Sequence, residues 1–264
     1  MMELFSLPVI KRALLSLLVA GAFLPIAGAF SVLTKTSFFS AGISHIALAG
    51  IAFAYFSGLT PIASALIVTI LASYIIWRIG ESGYSLHEEV LSLLFSMFMA
   101  LAVIFFGLSK QYTSDAMSYL FGSPLTVSRV DAYLIFSLFT VYILVVAIFR
   151  REIFHAILSR ELSMAIGINV SLIKLLLFIF TGLAVVLSMK VVGALVVYGL
   201  SIIPPLTAKK FSKHFWQMLL LSCIFGVLSS FIGFIISVYF DVPPGASVVL
   251  IASVFYIILL GVKR

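Results

Sequence analysis

Charge is what this sequence lacks most. Of its 264 residues, 9% are Asp, Glu, Lys or Arg, against 63% apolar. A soluble domain carries roughly 25% charged residues, so polar groups cannot cover a water-facing surface here. Mean hydropathy is +1.29, which makes lipid the solvent for most of the chain. The same shortage excludes disorder and a nucleic-acid-binding domain. Cysteine is nearly absent: Cys223 stands alone inside an apolar run, which excludes an internal disulfide and a secreted disulfide scaffold. No G-x-x-x-x-G-K-[ST] occurs, so no P-loop binds nucleotide. Acids are missing from the depths of the apolar runs. Asp115, Asp131 and Asp241 all fall at their rims, which leaves no paired intramembrane carboxylates.

What is present is a series of long apolar runs. A helix needs about 20 such residues to cross the hydrocarbon core. Ala13–Leu33 is the first run. Thr36–Trp77 is too long for one crossing, and Ser57-Gly58-Leu59-Thr60-Pro61 is a turn signal in its middle, so it splits into two. Val90–Ser109, Ala132–Phe149, Asn169–Met189, Val191–Ala208, Phe215–Phe240 and Val242–Val262 bring the expected total to nine. Pro204-Pro205 is expected to interrupt the seventh of the nine. Continuous runs favour helices over the alternating pattern of a barrel. Lys11-Arg12 precede the first run and Ala27-Gly28-Ala29 close it, as in a leader peptide. Its length and the spans that follow at once favour an uncleaved helix. The fold expected is an all-α membrane protein, a polytopic helical bundle of eight to nine spans forming one domain over residues 1–264.

The net charge of +7 reads as an orientation signal, because Lys and Arg concentrate in cytoplasmic loops. With the N-terminus outside and the C-terminus inside, the inner loops hold Lys35, Arg78, Arg150, Arg151, Arg160, Lys174, Lys209, Lys210, Lys213, Lys263 and Arg264. The outer segments hold only Lys11, Arg12, Lys110, Arg129 and Lys190.

His45 is the one ionisable residue deep in an apolar span. Such a group is a functional candidate by default, and neutral imidazole is a common transition-metal ligand. The alternative is a neutral histidine hydrogen-bonded to a neighbouring helix. Gly42, Gly50 and Ala54 form a small-residue stripe on the same helix, suited to close packing or to a narrow pathway wall. Ser44 adjoins His45 and points about 100° away on a helix, which argues against a hydrolytic dyad. His87-Glu88-Glu89 starts like the zinc-protease pattern, but Leu91 stands where the second histidine belongs. A solvated helix start suits it better. The segment Arg150–Ile168 contains Arg160-Glu161-Leu162-Ser163-Met164-Ala165-Ile166-Gly167, which reads as a short helix ended by glycine.

Five motifs in order carry a family resemblance. They are Ser37–Gly50, with the run Ser40-Ala41-Gly42-Ile43-Ser44-His45; Met117–Leu125, with Tyr119-Leu120-Phe121-Gly122; the short helix around Glu161 and Gly167; Met189-Lys190-Val191-Val192-Gly193 through Pro204-Pro205-Leu206-Thr207-Ala208; and Asp241-Val242-Pro243-Pro244-Gly245 through Leu250. Together they resemble the membrane permease subunit of the ABC-type importers for zinc, manganese and iron ions. The resemblance implies a homodimer lining one pathway. It also implies two cytosolic ATP-binding subunits docked on Arg160, Glu161, Met164, Ala165 and Gly167, in a coupling helix at about 158–168. An extracytoplasmic metal-binding protein would deliver the ion. The chain itself would be no enzyme and bind no cofactor, with ATP held by the partner. Localisation in the cytoplasmic membrane follows.

Family members commonly place an acid four residues before the histidine, and here that position is Ala41. His45 is then the implied pathway ligand. Ser96 joins it as a second pathway residue, at a place where some zinc-importing relatives have a histidine. The Met-Lys-Val-Val-Gly and Tyr-Leu-Phe-Gly versions look more like zinc-importing members, with manganese and iron open. The competing class is a secondary carrier driven by an ion gradient. Such carriers show inverted repeats and intramembrane acids, and neither is evident in the sequence.

Overall fold

The computed structural model describes residues 7–81, 87–109 and 114–261. Among them every regular element is helical. The helices are α1 (Pro8–Leu33), α2 (Phe39–Ser57), α3 (Pro61–Glu81), α4 (His87–Leu108), α5 (Ser114–Phe121), α6 (Arg129–Ile148), α7 (Arg150–Leu158), α8 (Arg160–Ala165), α9 (Val170–Val192), α10 (Ala194–Phe211), α11 (Phe215–Phe240) and α12 (Pro244–Leu260). A short 3-10 turn, Pro124–Thr126, joins α5 to α6.

Each of the nine apolar runs is a helix. Seven are long and apolar enough to cross a membrane: α1, α2, α3, α4 from Glu89, α6, α9 and α11. The other two are shorter or less apolar. α12 has 17 residues, and α10 carries Lys209 and Lys210 in its last turn. The split at Ser57–Pro61 appears as expected. Gly58 takes φ +76° and its N–H reaches Ala54 O, so α2 ends in a left-handed cap.

Pro204-Pro205 does not interrupt α10, contrary to the sequence expectation, because the helix runs on to Phe211. The pair frees two carbonyls, Leu200 O and Ser201 O, and the second of them has a close partner. Pro205 has no N–H to give to Ser201 O. A Cβ built on Gly28 of α1 would lie 1.8 Å from that oxygen, so a Gly28 Cα–H points at it. The same device recurs at Pro25, inside α1, which frees Gly21 O. A Cβ on Gly226 of α11 would lie 2.0 Å from that oxygen. Close Cα–H···O approaches of this kind satisfy backbone oxygens where lipid offers no water.

These approaches make α1 the central post, packed by α6, α9, α10 and α11. Every residue from Val19 to Val32 is buried, as is every residue from Phe39 to Ala52 in α2. A helix buried all round must be apolar all round. The outer helices instead present large apolar side chains outward, such as Leu93, Val103 and Ile104 on α4 and Tyr133, Phe136 and Leu144 on α6.

The ends of the bundle are defined by a few ties. At one end the Lys190 ammonium lies 2.7 Å from Asp131, and Ser123 N–H donates to Lys190 O at 3.0 Å. Asp131 also completes a capping box with Ser128 at the start of α6. Pro8, Lys11 and Arg12 line a groove there with Arg129 and Tyr133. At the opposite end Lys210 Nζ donates to Leu259 O and Leu260 O at 2.5 and 2.7 Å, and Phe215 packs on Phe30 and Phe154. Lys35, Arg78, Arg150, Arg151, Arg160, Lys174, Lys209, Lys210 and Lys213 belong to this second end. Lys11, Arg12, Arg129 and Lys190 belong to the first. Lys110, Lys263 and Arg264 lie outside the described residues, as does Val262 at the close of the last run.

The half-buried Lys190–Asp131 pair ties α9 to α6 and gives a modest prediction. Lys190→Met is expected to cost about 1–2 kcal/mol, read as a lower melting temperature of the purified protein in detergent. An unchanged melting temperature would show that the tie contributes nothing.

Candidate functional site

His45 sits in the buried stretch of α2 and is 8% exposed. Its Nδ1 lies 3.3 Å from Met99 Sδ on α4. Sulfur carries no proton here, so Nδ1 holds the hydrogen in this contact and Nε2 is left as acceptor. Phe95, one turn before Met99, packs edge-on to the imidazole with ring centroids 4.3 Å apart. Phe38 reaches across to both Phe95 and Tyr198 of α10. Met99 is near the middle of the 22-residue α4, so the histidine is held at mid-height between α2 and α4.

The approach of α2 to α4 depends on small side chains. Gly42 faces Leu91 at ordinary van der Waals distance, 3.5 Å from a built Cβ. About two turns further along, Gly50 meets the Ala65 backbone of α3, and Ser64 Oγ donates to Gly50 O at 2.7 Å. The stripe Gly42, Gly50 and Ala54 is therefore packing surface toward two neighbours. Ala41 is buried four residues before His45 and brings no polar group to it. The Ser44 hydroxyl donates to Ala41 O at 2.8 Å rather than to the imidazole, so the two residues form no hydrolytic dyad.

Ser96 lies on the exposed face of α4 and donates to Ser92 O at 3.0 Å. It lines an open hollow with Glu89, Ser92, Leu93 and Met97. Within one chain the structure does not bring Ser96 to His45. The residues it does bring there, Met99 and Phe95, were missed from the sequence, and only the helical spacing of four between them marks a shared face. Among the described residues no group of three or more His, Cys, Asp or Glu side chains comes together to hold a metal ion. The His87 and Glu88 side chains, like those of Asp115 and Arg160, lie outside the described residues; the α4 helix does begin at His87.

The second candidate region caps the basic end of the bundle. The short helix expected at about 158–168 is α8, and a further helix that the sequence reading did not separate, α7, precedes it across Ser159. Ser159 is the N-cap of α8: its Oγ accepts from Leu162 N–H, and Ser163 Oγ returns a bond to Ser159 O at 2.7 Å. Gly167 ends the unit at φ +80°, with Ile168 N–H bonded to Ser163 O at 2.9 Å, as in a Schellman cap. Glu161, Met164, Ala165 and Gly167 are all exposed. So are Leu162 at 62% and Ile166 at 59%, two residues the sequence reading left out. The sequence motif thus becomes a small apolar knob with an acidic edge.

Known proteins resemble this chain along its length. Residues 6–263 match the ABC 3 transport family. The high-affinity zinc uptake system membrane protein ZnuB of Haemophilus influenzae is 32% identical over 90% of this chain and 90% of its own. A probable metal transport system membrane protein of Thermotoga maritima is 30% identical over 86% of this chain and 80% of its own. The manganese import system permease protein ScaB of Streptococcus parasanguinis is 28% identical over 94% of this chain and 89% of its own. Among solved structures, PsaBC from Streptococcus pneumoniae in complex with Fab superposes with a TM-score of 0.89 at 27% identity, covering 100% of this chain and 97% of that one. The match runs over almost the whole length of the helical bundle: the chain belongs to the ABC 3 transport family.

Proposed function

We propose that this chain is the membrane subunit of an ATP-driven importer for a divalent transition-metal ion, with zinc favoured over manganese and iron. His45 carries the reading: a lone imidazole at mid-height in the bundle, in a family whose named relatives move zinc or manganese. An intramembrane imidazole backed by apolar rings is a poor structural choice and a good transient ligand. Two copies would set two such imidazoles along one pathway, holding an ion weakly enough to release it. The basic end faces the cytoplasm by the positive-inside rule, which leaves Pro8 outside and Leu260 inside.

ATP hydrolysis belongs to two partner subunits. The knob on α8 suits their docking, because Leu162, Met164 and Ile166 are large, apolar and uncovered at the basic end. An extracytoplasmic metal-binding protein supplies the ion at the opposite end.

The test is reconstitution of the chain with its ATPase subunit and binding protein in vesicles. Metal-dependent ATP hydrolysis and ATP-dependent uptake are expected. Transport by the chain alone, driven by an ion gradient, would instead establish a secondary carrier. Within the working complex, Glu161→Lys is expected to cut ATP-driven uptake about tenfold by reversing the charge at the docking edge, about 1.4 kcal/mol of coupling. Unchanged uptake and unchanged co-purification with the ATPase would contradict the docking assignment.

A further inference from the structure

Resting on the reading of His45 as a pathway ligand, we infer that the Met99 thioether is its second ligand and tilts the pathway toward a soft or borderline d10 cation such as zinc, away from hard ions such as manganese. The distance supports it. A zinc-bound nitrogen at about 2.0–2.1 Å and a thiolate sulfur at about 2.3 Å, set at the tetrahedral angle, lie about 3.6 Å apart, and a neutral thioether sits slightly farther out. His45 Nδ1 and Met99 Sδ are already 3.3 Å apart, so an ion needs only a few tenths of an ångström of separation between α2 and α4. The proton balance is simple. The ion takes the place of the Nδ1 hydrogen, which moves to Nε2 by tautomer exchange, so no net proton is gained or lost.

The ligand chemistry gives the direction of selectivity. Ala41 leaves no carboxylate on the His45 face, so both ligands are neutral. Manganese favours carboxylate and carbonyl oxygen, whereas imidazole and thioether suit softer ions. Phe95 packs on the imidazole and is backed by Phe38, which limits the water that a hard cation would otherwise retain. Met99 thus offers His45 a second donor from another helix, where position 41 offers none.

The experiment compares zinc and manganese as competing probes in the reconstituted complex, with wild type, Met99→Leu and Ala41→Asp. Leucine nearly conserves the volume of methionine, so packing between α2 and α4 is kept while the sulfur is removed. For Met99→Leu the half-saturating zinc concentration is expected to rise about tenfold with manganese transport unchanged, and Ala41→Asp is expected to raise manganese uptake relative to zinc. Unchanged zinc saturation in Met99→Leu would overturn the ligand role. An equal loss of both ions would also overturn it, because that marks a packing role alone. Absence of any ATP-dependent metal uptake by wild type would instead overturn the proposed function, and so the two failures are distinguishable.

Discussion

Metal uptake by His45→Ala is expected to fall at least tenfold at limiting metal, with assembly of the complex unchanged. The fall corresponds to about 1.4 kcal/mol of lost ion binding. The expectation of intact assembly rests on where the imidazole sits. Its neighbours Met99 and Phe95 are on one adjacent helix, and the wider contact of α2 with α4 runs through Gly42 and Leu91. Removing the ring leaves a cavity but cuts no tie between the ends of the bundle. His45→Leu separates the two effects, because it refills the space and still brings no ligand. Both variants are expected to transport poorly while co-purifying with the ATPase. Normal uptake by either at limiting metal would remove His45 from the pathway.

Gly28→Val is expected to prevent recovery of a folded, monodisperse protein. A Cβ at Gly28 would stand 1.8 Å from Ser201 O, 2.7 Å from Ser201 C and 3.0 Å from Ser201 Cα. All three are backbone atoms, so no side chain can swing aside. Overpacking in a core usually costs about 1–3 kcal/mol, and here two central helices must separate along their length. The separation would also take the Gly28 Cα–H away from Ser201 O, to which Pro205 supplies no N–H. Gly107→Val is the matched control, because nothing lies within 4 Å of a Cβ there. Size-exclusion profiles in detergent decide the matter: a sharp peak for Gly28→Val would refute the close-approach argument.

Much of this architecture is legible in the sequence, for a physical reason. Crossing lipid demands long apolar runs whose backbone bonds close internally, so run length and turn residues locate α11 to the residue and α1 to α4 to within about a turn and a half. Centrality is harder to read. α1 and α11 are both apolar all round, yet only α1 is buried from Val19 to Val32 without a gap. The available signal was size, since α1 and α2 concentrate Ala and Gly where neighbours come closest. α5 and α7 were not separated as elements, because short helices at bundle ends lack the run length that reveals a crossing. Pro204-Pro205 misled, because a proline pair announces a break unless another helix covers the freed carbonyl. His45 was visible as an anomaly of composition. Met99 was invisible, because nothing in the chain links positions 45 and 99 until the helices pack.

Gly193 is the sole residue between α9 and α10, at φ +100°. Its Cα abuts Phe121 and Gly122, while Gly245 abuts Val192 O. A joint of one residue has little slack, so any tilt of α10 would pivot at this cluster. The lever is 18 residues long, about 27 Å. A tilt of ~5° about the fulcrum would carry its far end, at Lys210, through about 2 Å. Lys210 in turn grips the end of α12, so two helices would swing together. Leverage of this kind leaves the end near Gly193 almost still and concentrates displacement at the basic end.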